Sequence, residues 1–417
     1  MYMKSTHKVV VCPDSFKGSI SSALAGFAVA KGIKASKYFG RYCEGAENGK
    51  TDIVCLPVAD GGEGTLDALI SDNGSDRFVN ICVTAPLGNK INAVYGIKET
   101  LNINSIAQDL RHGNNKMVCN AKTAVIEMAG AAGLTLLQTA DNDMRDPMAA
   151  TTFGVGEMIS DALNRGAKRI MLTVGGSATN DGGCGMAAAL GVRFLDMDGN
   201  YFVPTGGTLG NISSIDVSGL DMRLSDGKCK IVIACDVTNP LLGKNGATYV
   251  YAPQKGADAK MLARLESGME HYAGIVDRMC GRKISEIHGT GAGGGISVPL
   301  LAFCNAEIVS GIDAVLDIIG FDSLLDDCIL VVTGEGKTDN QSACGKVISG
   351  ISQRASKRNI PVCVISGCIG EGAEALYGMG VVKMYSISEG VTVEYSMAHA
   401  DELIEAKAKE MADEFFA

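Results

Sequence analysis

A short β-branched run, Lys8-Val9-Val10-Val11-Cys12, is followed by the loop Pro13-Asp14-Ser15-Phe16-Lys17-Gly18 and then by a segment with helical spacing. The spaced positions are Ile20, Leu24, Phe27 and Lys31, and the candidate N-caps are Ser19, Ser21 and Ser22. An apolar strand, a tight loop and a helix in this order predict a β-α unit. Apolar strands that alternate with helices favour a parallel sheet covered on both faces.

The same alternation recurs near both ends of the chain. Residues 52–58 predict a second strand, and residues 65–71 predict the start of its helix. Residues 328–333, 361–366 and 381–388 predict three further strands, with residues 346–357 as an intervening helix. We therefore expect an α/β protein in which residues 1–80 and 289–417 form one Rossmann-like parallel-sheet domain.

The middle of the chain has a different pattern of predicted strands and helices. Predicted strands at 124–128, 169–174 and 230–235 precede a long helical pattern at 258–279. We interpret residues 81–288 as an inserted second α/β domain, and we expect the active site in the cleft between the two domains. Residues 100–122 are rich in Asn and predict a polar surface excursion.

The composition excludes several classes of function. A net charge of -10 and the lack of a long basic run argue against a nucleic acid partner. The sequence contains no run of about 18 consecutive apolar residues, so no membrane-spanning helix is predicted. The N-terminal apolar run is too short for the core of a signal peptide. The 14 cysteines are scattered without a CxxC pair, as is typical of small buried side chains in a reducing compartment. We expect a cytoplasmic protein, with a homo-oligomer left open.

Glycine is concentrated in loops that directly follow apolar strands. The chain has 53 glycines in 417 residues, a share of about 13%, whereas about 7% is typical of proteins. In open α/β sheets, ligands bind outside the carboxyl ends of the strands, where backbone N–H groups and helix N-termini point outward. Four such loops carry charged side chains: residues 13–18, 59–64, 175–183 and 334–339.

Each loop predicts a particular kind of binding. Asp14, Ser15 and Lys17 offer a carboxylate, a hydroxyl and an ammonium to a small hydroxy acid. The second loop, with Asp60, Gly61, Gly62 and Glu63, suits a metal ion or a hydroxyl. The third loop precedes a predicted helix at 186–190 that would aim free N–H groups at a phosphate, with Asp181 as a base or metal ligand. The fourth loop repeats that arrangement with Lys337.

These loops also allow other interpretations. A single Gly/Asp loop after a strand is more often a turn than a site, but four together favour a site. Gly336-Lys337-Thr338 lacks the earlier glycine of a P-loop. The match of residues 289–294 to G-x-G-x-x-G follows a poor strand and is weak support for NAD. No nucleophile elbow and no His metal spacing is present, so hydrolase chemistry has no support.

Taken together, the loops resemble the signatures of the type 1 glycerate kinases. The resemblance rests on residues 13–18, 59–65 and 175–183, and continues in order through Ala234-Cys235-Asp236-Val237-Thr238-Asn239-Pro240-Leu241, Pro253-Gln254-Lys255-Gly256-Ala257 and residues 333–341. It extends from Lys8 to about Gly367. The ordered set is far more specific than any one loop.

This resemblance implies transfer of the γ-phosphoryl group of ATP to D-glycerate with Mg²⁺, with 2-phosphoglycerate as the expected product. Positioning, a bridging metal ion and water exclusion are the needs of such a reaction. Asp181 and Asp60 are the candidate bases, and Lys17 is the third catalytic candidate. The substrate-binding candidates are Asp14, Ser15, Lys17, Gly61, Gly62 and Glu63. The nucleotide or phosphate candidates are Gly175, Gly176, Ser177, Thr179, Asn180, Gly291, Gly293, Gly334, Glu335, Gly336 and Lys337, and the metal candidates are Asp236 and Asp339.

Three alternatives remain at this point. The chain could phosphorylate a related hydroxy acid, or it could form 3-phosphoglycerate. It could also be a non-catalytic phosphoanion-binding protein. The many carboxylates argue against the last alternative, because their repulsion of a phosphate makes sense only if Mg²⁺ intervenes.

Overall fold

The computed structural model describes residues 7–45, 51–62, 64–70, 76–100, 121–139, 142–343 and 345–417. The chain divides into two compact units: Met1–Asp60 with Gly311–Ala417 form unit 1, and Gly61–Ser310 form unit 2. The described residues include no helix with both the length and the apolar character needed to cross a bilayer.

The strands are β1 (His7–Val11), β2 (Thr51–Cys55), β3 (Arg77–Thr84), β4 (Lys90–Thr100), β5 (Ala121–Glu127), β6 (Gln138–Thr139), β7 (Asn142–Asp143), β8 (Arg169–Thr173), β9 (Arg193–Leu195), β10 (Tyr201–Phe202), β11 (Ser214–Asp216), β12 (Lys230–Ala234), β13 (Glu307–Val309), β14 (Cys328–Thr333), β15 (Lys337–Thr338), β16 (Val362–Ser366), β17 (Cys368–Ile369) and β18 (Val381–Ser386).

The α-helices are α1 (Ser22–Ala35), α2 (Lys37–Gly45), α3 (Thr65–Leu69), α4 (Ala129–Ala132), α5 (Phe153–Asn164), α6 (Cys184–Ala189), α7 (Met222–Ser225), α8 (Ala247–Tyr251), α9 (Ala259–Cys280), α10 (Ser297–Phe303), α11 (Gly311–Ile318), α12 (Phe321–Leu324), α13 (Val347–Ser356), α14 (Val393–Ala398) and α15 (Ala400–Phe415). Short 3-10 helices occur at Leu134–Leu136, Gly206–Asn211, Pro253–Lys255, Ile284–Glu286, Ala292–Gly294 and Ala373–Met379.

Unit 1 contains a five-stranded sheet in the order β18-β16-β14-β1-β2, and every neighbouring pair is parallel. The predicted Rossmann-like parallel sheet is thereby confirmed. Residues of α1 and α15 pack against one side of the sheet, where Val29 and Ile404 meet the buried side chains of β1 and β14. The side chain of Ser21 caps α1 by accepting a hydrogen bond from the Leu24 N–H.

The strand order of unit 1 reverses beside β1. The chain moves from β1 to β2 on one side and, after unit 2, returns to β14 on the other side. At such a reversal the connections leave in opposite directions and open a crevice at the carboxyl ends of the strands. The fold therefore prepares a binding site between the ends of β1 and β14.

Unit 2 contains a six-stranded mixed sheet in the order β13-β12-β8-β5-β4-β3. Strands β13, β12, β8 and β5 are parallel, whereas β4 and β3 join as an antiparallel edge. A small antiparallel sheet in the order β10-β9-β11 follows α6 in the chain. The buried core collects residues from α5, α6, α9 and α10 around the main sheet.

The ends of the compact units differ from the predicted boundaries at 80/81 and 288/289. Hydrophobic packing accounts for the difference, because Ile296, Val298 and Leu300 lie in the core of unit 2. On the other side of the insertion, Lys98 of β4 donates to the Leu69 carbonyl and holds α3 in the same unit. The predicted polar excursion at 100–122 falls almost entirely outside the described residues.

Candidate active site

A pocket of about 540 Å³ lies at the carboxyl ends of the strands of unit 1, at the strand-order reversal. Its lining includes Asp14, Ser15 and Lys17 after β1, Asp60 after β2, and Glu335 after β14. The backbone joins the first and last of these loops, since the Asp14 N–H donates to the Gly334 carbonyl over 2.8 Å. The structure thus brings three of the four predicted loops to one cavity through at least one side chain each.

Close packing of backbone shapes the floor of this pocket. A Cβ atom on Gly334 would stand 1.8 Å from the Ile365 carbonyl oxygen, and one on Gly367 would stand 2.1 Å from the Gly336 carbonyl oxygen. No side chain fits at either position without moving the main chain. Gly334, which was a predicted site residue, and Gly367, which was not, therefore allow strands and loops to approach each other at the pocket.

Asp14 is a half-buried carboxyl group with a perturbed acidity. Burial raises the pKa of Asp14, the hydrogen bond from the Ser15 N–H opposes that rise, and the charges of Asp60 and Glu335 add to it, so that the pKa is about 6. A carboxylate with a pKa close to neutrality can both accept and release a proton at physiological pH. Asp14 is therefore chemically suited to act as a base, a role that the sequence had suggested for Asp60 and Asp181.

Glu335 is held by a set of hydroxyl groups. The Thr338 hydroxyl donates to Glu335 Oε1 over 3.3 Å, and the Ser342 hydroxyl donates to the same oxygen. The Thr338 and Ser366 hydroxyl oxygens lie 2.5 Å apart. Burial raises the pKa of Glu335, and the two hydroxyl donors partly oppose that rise. These bonds fix the orientation of the carboxylate at the pocket wall.

Lysines supply the positive charge of the pocket. Lys17, Lys337 and Lys346 line it beside the carboxylates of Asp14, Asp60, Glu335 and Asp339. Lys337 Nζ lies 3.0 Å from a carboxylate oxygen of Asp339, and its side chain is 63% exposed. The lining therefore carries four acidic and three basic side chains, a mixture that suits an anion only when further positive charge accompanies it.

The pocket carries carboxylate oxygens, which are ligands that Mg²⁺ prefers. Mg²⁺ takes oxygen ligands and is usually held by one or two carboxylates together with phosphates. Across the described ranges, no three His, Cys, Asp or Glu side chains form a ready metal cluster. The predicted ligands Asp236 and Asp339 lie in different compact units. The pocket therefore does not form a complete metal site of protein ligands. Its carboxylates fit a Mg²⁺ ion for which the phosphates of a bound nucleotide would supply most of the ligands.

The glycine-rich loop 175–183 of unit 2 has a different construction. Asp181 is fully buried, and its carboxylate accepts hydrogen bonds from the Thr152 N–H and hydroxyl and from the N–H groups of Gly183 and Gly185. The Thr152 hydroxyl in turn accepts from the Met186 N–H. The N-terminal donors of α6 are thus occupied, so the prediction that they point freely at a phosphate is wrong.

The remaining predicted residues of unit 2 divide by exposure. Gly175 and Gly176 are exposed at the end of β8, whereas Ser177, Thr179 and Asn180 are buried. Gly291 and Gly293 are also buried, in the turn whose Gly294 carbonyl accepts from the Gly182 N–H. Gly61 and Gly62 begin unit 2, and Glu63 lies outside the described residues.

A buried lysine contacts the glycine-rich loop from inside unit 2. Lys255 is 1% exposed, and its Nζ donates to the Thr179 carbonyl over 2.6 Å. Burial lowers the pKa of Lys255 to about 7, while the charge of Asp181 opposes that fall. Burial likewise raises the pKa of Asp181 against its four hydrogen bonds. Lys255 belongs to the segment 253–257 that carries the family resemblance, although the sequence predicted no role for it.

Sequence reasoning also missed part of the pocket lining in unit 1. Ser342, Lys346 and Met397 line the pocket although no prediction assigned them. Ser342 and Lys346 follow the fourth loop within a few residues, so extending that loop would have found them. Met397 belongs to α14, which is separated from every glycine-rich loop, and no local pattern marks it.

The comparisons with known proteins agree with this architecture. A sequence model of the glycerate kinase family matches residues 9–415.

The chain belongs to the glycerate kinase family.

Relatives cover nearly the whole chain of this family member. It is 41% identical over 406 residues to the glycerate kinase of Bacillus subtilis, covering 97% of each chain. It is 39% identical over 381 residues to the glycerate 2-kinase of Escherichia coli, covering 91% of this chain and 90% of the relative. A crystal structure of glycerate kinase 2 from Salmonella typhimurium LT2 matches with a TM-score of 0.79, at 37% identity and 98% coverage of both chains. The family resemblance seen in the sequence is therefore confirmed.

Proposed function

We propose that this protein transfers the γ-phosphoryl group of ATP to D-glycerate, giving 2-phosphoglycerate and ADP. The observation that carries the proposal is the pocket of unit 1, where Asp14, Asp60, Glu335 and Lys17 converge at the strand-order reversal. Membership of the glycerate kinase family supports the acceptor, and the name of the Escherichia coli relative, glycerate 2-kinase, supports the position of the phosphate.

The side chains of the pocket divide the work of phosphoryl transfer. Lys17 pairs with the carboxylate of glycerate and holds the acid in one orientation. Asp14 accepts the proton of the attacking hydroxyl late in the reaction, because its pKa of about 6 leaves it ionised yet basic at neutral pH. Asp60 and Ser15 hold the acceptor hydroxyls by hydrogen bonds. This arrangement supplies the in-line positioning on which phosphoryl transfer depends.

Mg²⁺ is part of the proposal. Glu335 and Asp339 are the carboxylates that would hold it with the phosphates, while Asp236 stays a prediction. When bound, the ion neutralises charge on the transferring phosphoryl group. Lys337 and Lys346 add positive charge beside that group. The balance of four acidic and three basic side chains favours this reading over a non-catalytic phosphoanion-binding protein, which would need donors alone.

Glycine-rich backbone in unit 2 is proposed to contact the nucleotide phosphates. Gly175 and Gly176 are exposed where β8 ends, and Gly176 adopts a φ of +70°. Successive N–H groups in such a turn can form an anion-binding concavity. The buried remainder of the loop, from Ser177 to Gly183, serves as its support.

A coupled ADP-release assay tests the reaction. Purified protein with ATP and Mg²⁺ is given D-glycerate, L-glycerate, glycolate, lactate or tartronate in turn, and we expect ADP release to depend on D-glycerate. ADP release with another acid alone would reassign the substrate. No acid-dependent release, combined with measurable nucleotide binding, would favour the non-catalytic alternative.

The position of the phosphate is tested on the product. We expect enolase to consume the product directly, without a phosphoglycerate mutase, and phosphorus NMR to show a secondary phosphate ester. A product that enolase consumes only after mutase is added would be 3-phosphoglycerate and would overturn this part of the proposal.

A further inference from the structure

Lys255 is buried in the interior of unit 2, where a charged lysine side chain is energetically unfavourable. Its side chain is 1% exposed, and transfer of an ammonium group from water to such a place is unfavourable unless other groups compensate it. Its Nζ donates a hydrogen bond to the Thr179 carbonyl, and the charge that acts on it belongs to Asp181 in the same loop. Both compensating groups therefore come from the glycine-rich loop and none from its own helix.

The backbone around Lys255 is built to hold this side chain in place. Lys255 ends the 3-10 helix Pro253–Lys255, and Gly256 follows with a φ of +99°. Arg145 donates to the Gln254 carbonyl over 2.7 Å, and a Cβ atom on Gly256 would stand 2.8 Å from the Arg145 carbonyl oxygen. The turn is thus fixed from a second segment, so the lysine approaches the loop from a rigid base.

Two residues contact the carbonyl oxygen of Thr179 in the glycine-rich loop. A Cβ atom on Gly294 would stand 2.0 Å from the Thr179 carbonyl oxygen, so only glycine allows this approach. Lys255 donates to the same oxygen. Within the described part of the chain, Thr179 Oγ1 and Asn180 Oδ1 are buried without a hydrogen-bond partner. The Lys255 contact therefore holds the buried part of this loop, while the Leu134 N–H donates to the Gly176 carbonyl at its exposed end.

We propose that Lys255 is a positioning residue for phosphoryl transfer, which acts by fixing the glycine-rich loop so that Gly175 and Gly176 keep the geometry that binds nucleotide phosphates. This inference rests on the proposed function of the loop. A purely structural role predicts a different result, because loss of one buried charged partner would lower stability without a selective change in nucleotide affinity.

The test compares Lys255→Met with Lys260→Met, an exposed lysine at the start of α9. We expect Lys255→Met to raise KM for ATP by about tenfold while KM for D-glycerate stays within about twofold, since about tenfold corresponds to one lost positioning interaction. The dissociation constant of a non-hydrolysable ATP analogue, measured by calorimetry, should rise by a similar factor. Lys260→Met should change none of these quantities.

The outcomes separate the inference from the proposed function. Wild-type protein that neither releases ADP with an acid nor binds the analogue would overturn the proposed function. An active wild type with unchanged constants in Lys255→Met, or with only a lower kcat, would overturn the role of Lys255. If Lys255→Met does not fold, Lys255→Gln decides in the same way, because its shorter side chain cannot reach the Thr179 carbonyl as the lysine does.

Discussion

The pocket of unit 1 and the glycine-rich loop of unit 2 are built from similar sequence and end in opposite arrangements. Both follow buried parallel strands, and both combine glycine with aspartate. In unit 1, Asp14 is half-buried beside a cavity of about 540 Å³. In unit 2, Asp181 is fully buried with its oxygens bound to backbone and hydroxyl donors. The same sequence pattern therefore places one aspartate at a cavity and the other inside the core, and we expect the first to act in catalysis and the second to support the loop.

The largest expected effect is on catalysis, in Asp14→Asn. Removal of a proton acceptor that touches the substrate should lower kcat by at least about 100-fold without loss of the fold. Steady-state kinetics at saturating ATP and D-glycerate, with circular dichroism as the folding control, measure it. If Asp60→Asn lost 100-fold and Asp14→Asn stayed near normal, the base would be Asp60, as the sequence first suggested.

The pKa of Asp14 also predicts the pH dependence of stability. Because the folded-state pKa is raised from 3.8 to about 6, ionisation of the buried carboxyl costs stability above pH 6, and that cost is absent below pH 3.8. Asp14→Asn should therefore have a higher Tm than wild type at pH 8, and the difference should shrink as the pH falls through 6. An equal difference at pH 8 and pH 4.5 would show that Asp14 titrates normally.

The next effect is on stability, in Asp181→Ala. This change leaves the Thr152, Gly183 and Gly185 N–H groups buried without their acceptor, and we expect a loss of about 2 to 4 kcal/mol in the free energy of unfolding. Urea denaturation measures it. Asp258→Ala is the matched control, because Asp258 caps α9 at an exposed position and should cost only about 1 kcal/mol.

Activity per folded molecule distinguishes the two roles of Asp181. If Asp181 supports the loop, Asp181→Asn should stay within about tenfold of wild-type kcat at a temperature where it is folded, because the amide keeps an acceptor oxygen. A loss above about 100-fold in fully folded protein would instead place Asp181 in the chemistry and remove the contrast between the two regions.

The smallest effect is expected at the rim of the pocket, in Lys337→Met. Lys337 is 63% exposed and paired with Asp339, and exposed ion pairs contribute little to stability. Its Tm should match that of wild type, while KM for ATP should rise by less than about tenfold and depend more weakly on salt. A rise in KM for ATP of more than about tenfold would instead make Lys337 a principal phosphate contact.

Much of unit 1 could be predicted because its signals are local. Continuous apolar runs marked β1, β14 and β16, and the carboxyl ends of parallel strands necessarily meet at one edge, which brought Asp14 and Glu335 together. The capping residue of α1 was also within reach, since Ser21 immediately precedes the helix. Local pattern and sheet geometry therefore sufficed for the core of the candidate site.

The rest depended on contacts between distant parts of the chain. The burial of Asp181 follows from Thr152, which lies 29 residues earlier in sequence and supplies two of its donors. Strands β3 and β4, which pair as an antiparallel edge, were not predicted from the sequence. Met397 reaches the pocket only through the packing of α14. Neither periodicity nor spacing contains these long-range relations.

The crowded glycines under the pocket bear on how the enzyme could be redesigned. Gly334 and Gly367 leave no volume for a side chain, so the floor can hardly be resculpted by substitution. The wall formed by α14 is different, because Val393 and Met397 are 64% and 44% exposed and line the cavity. A library aimed at new acceptor acids should therefore randomise the α14 wall and leave the glycine floor untouched.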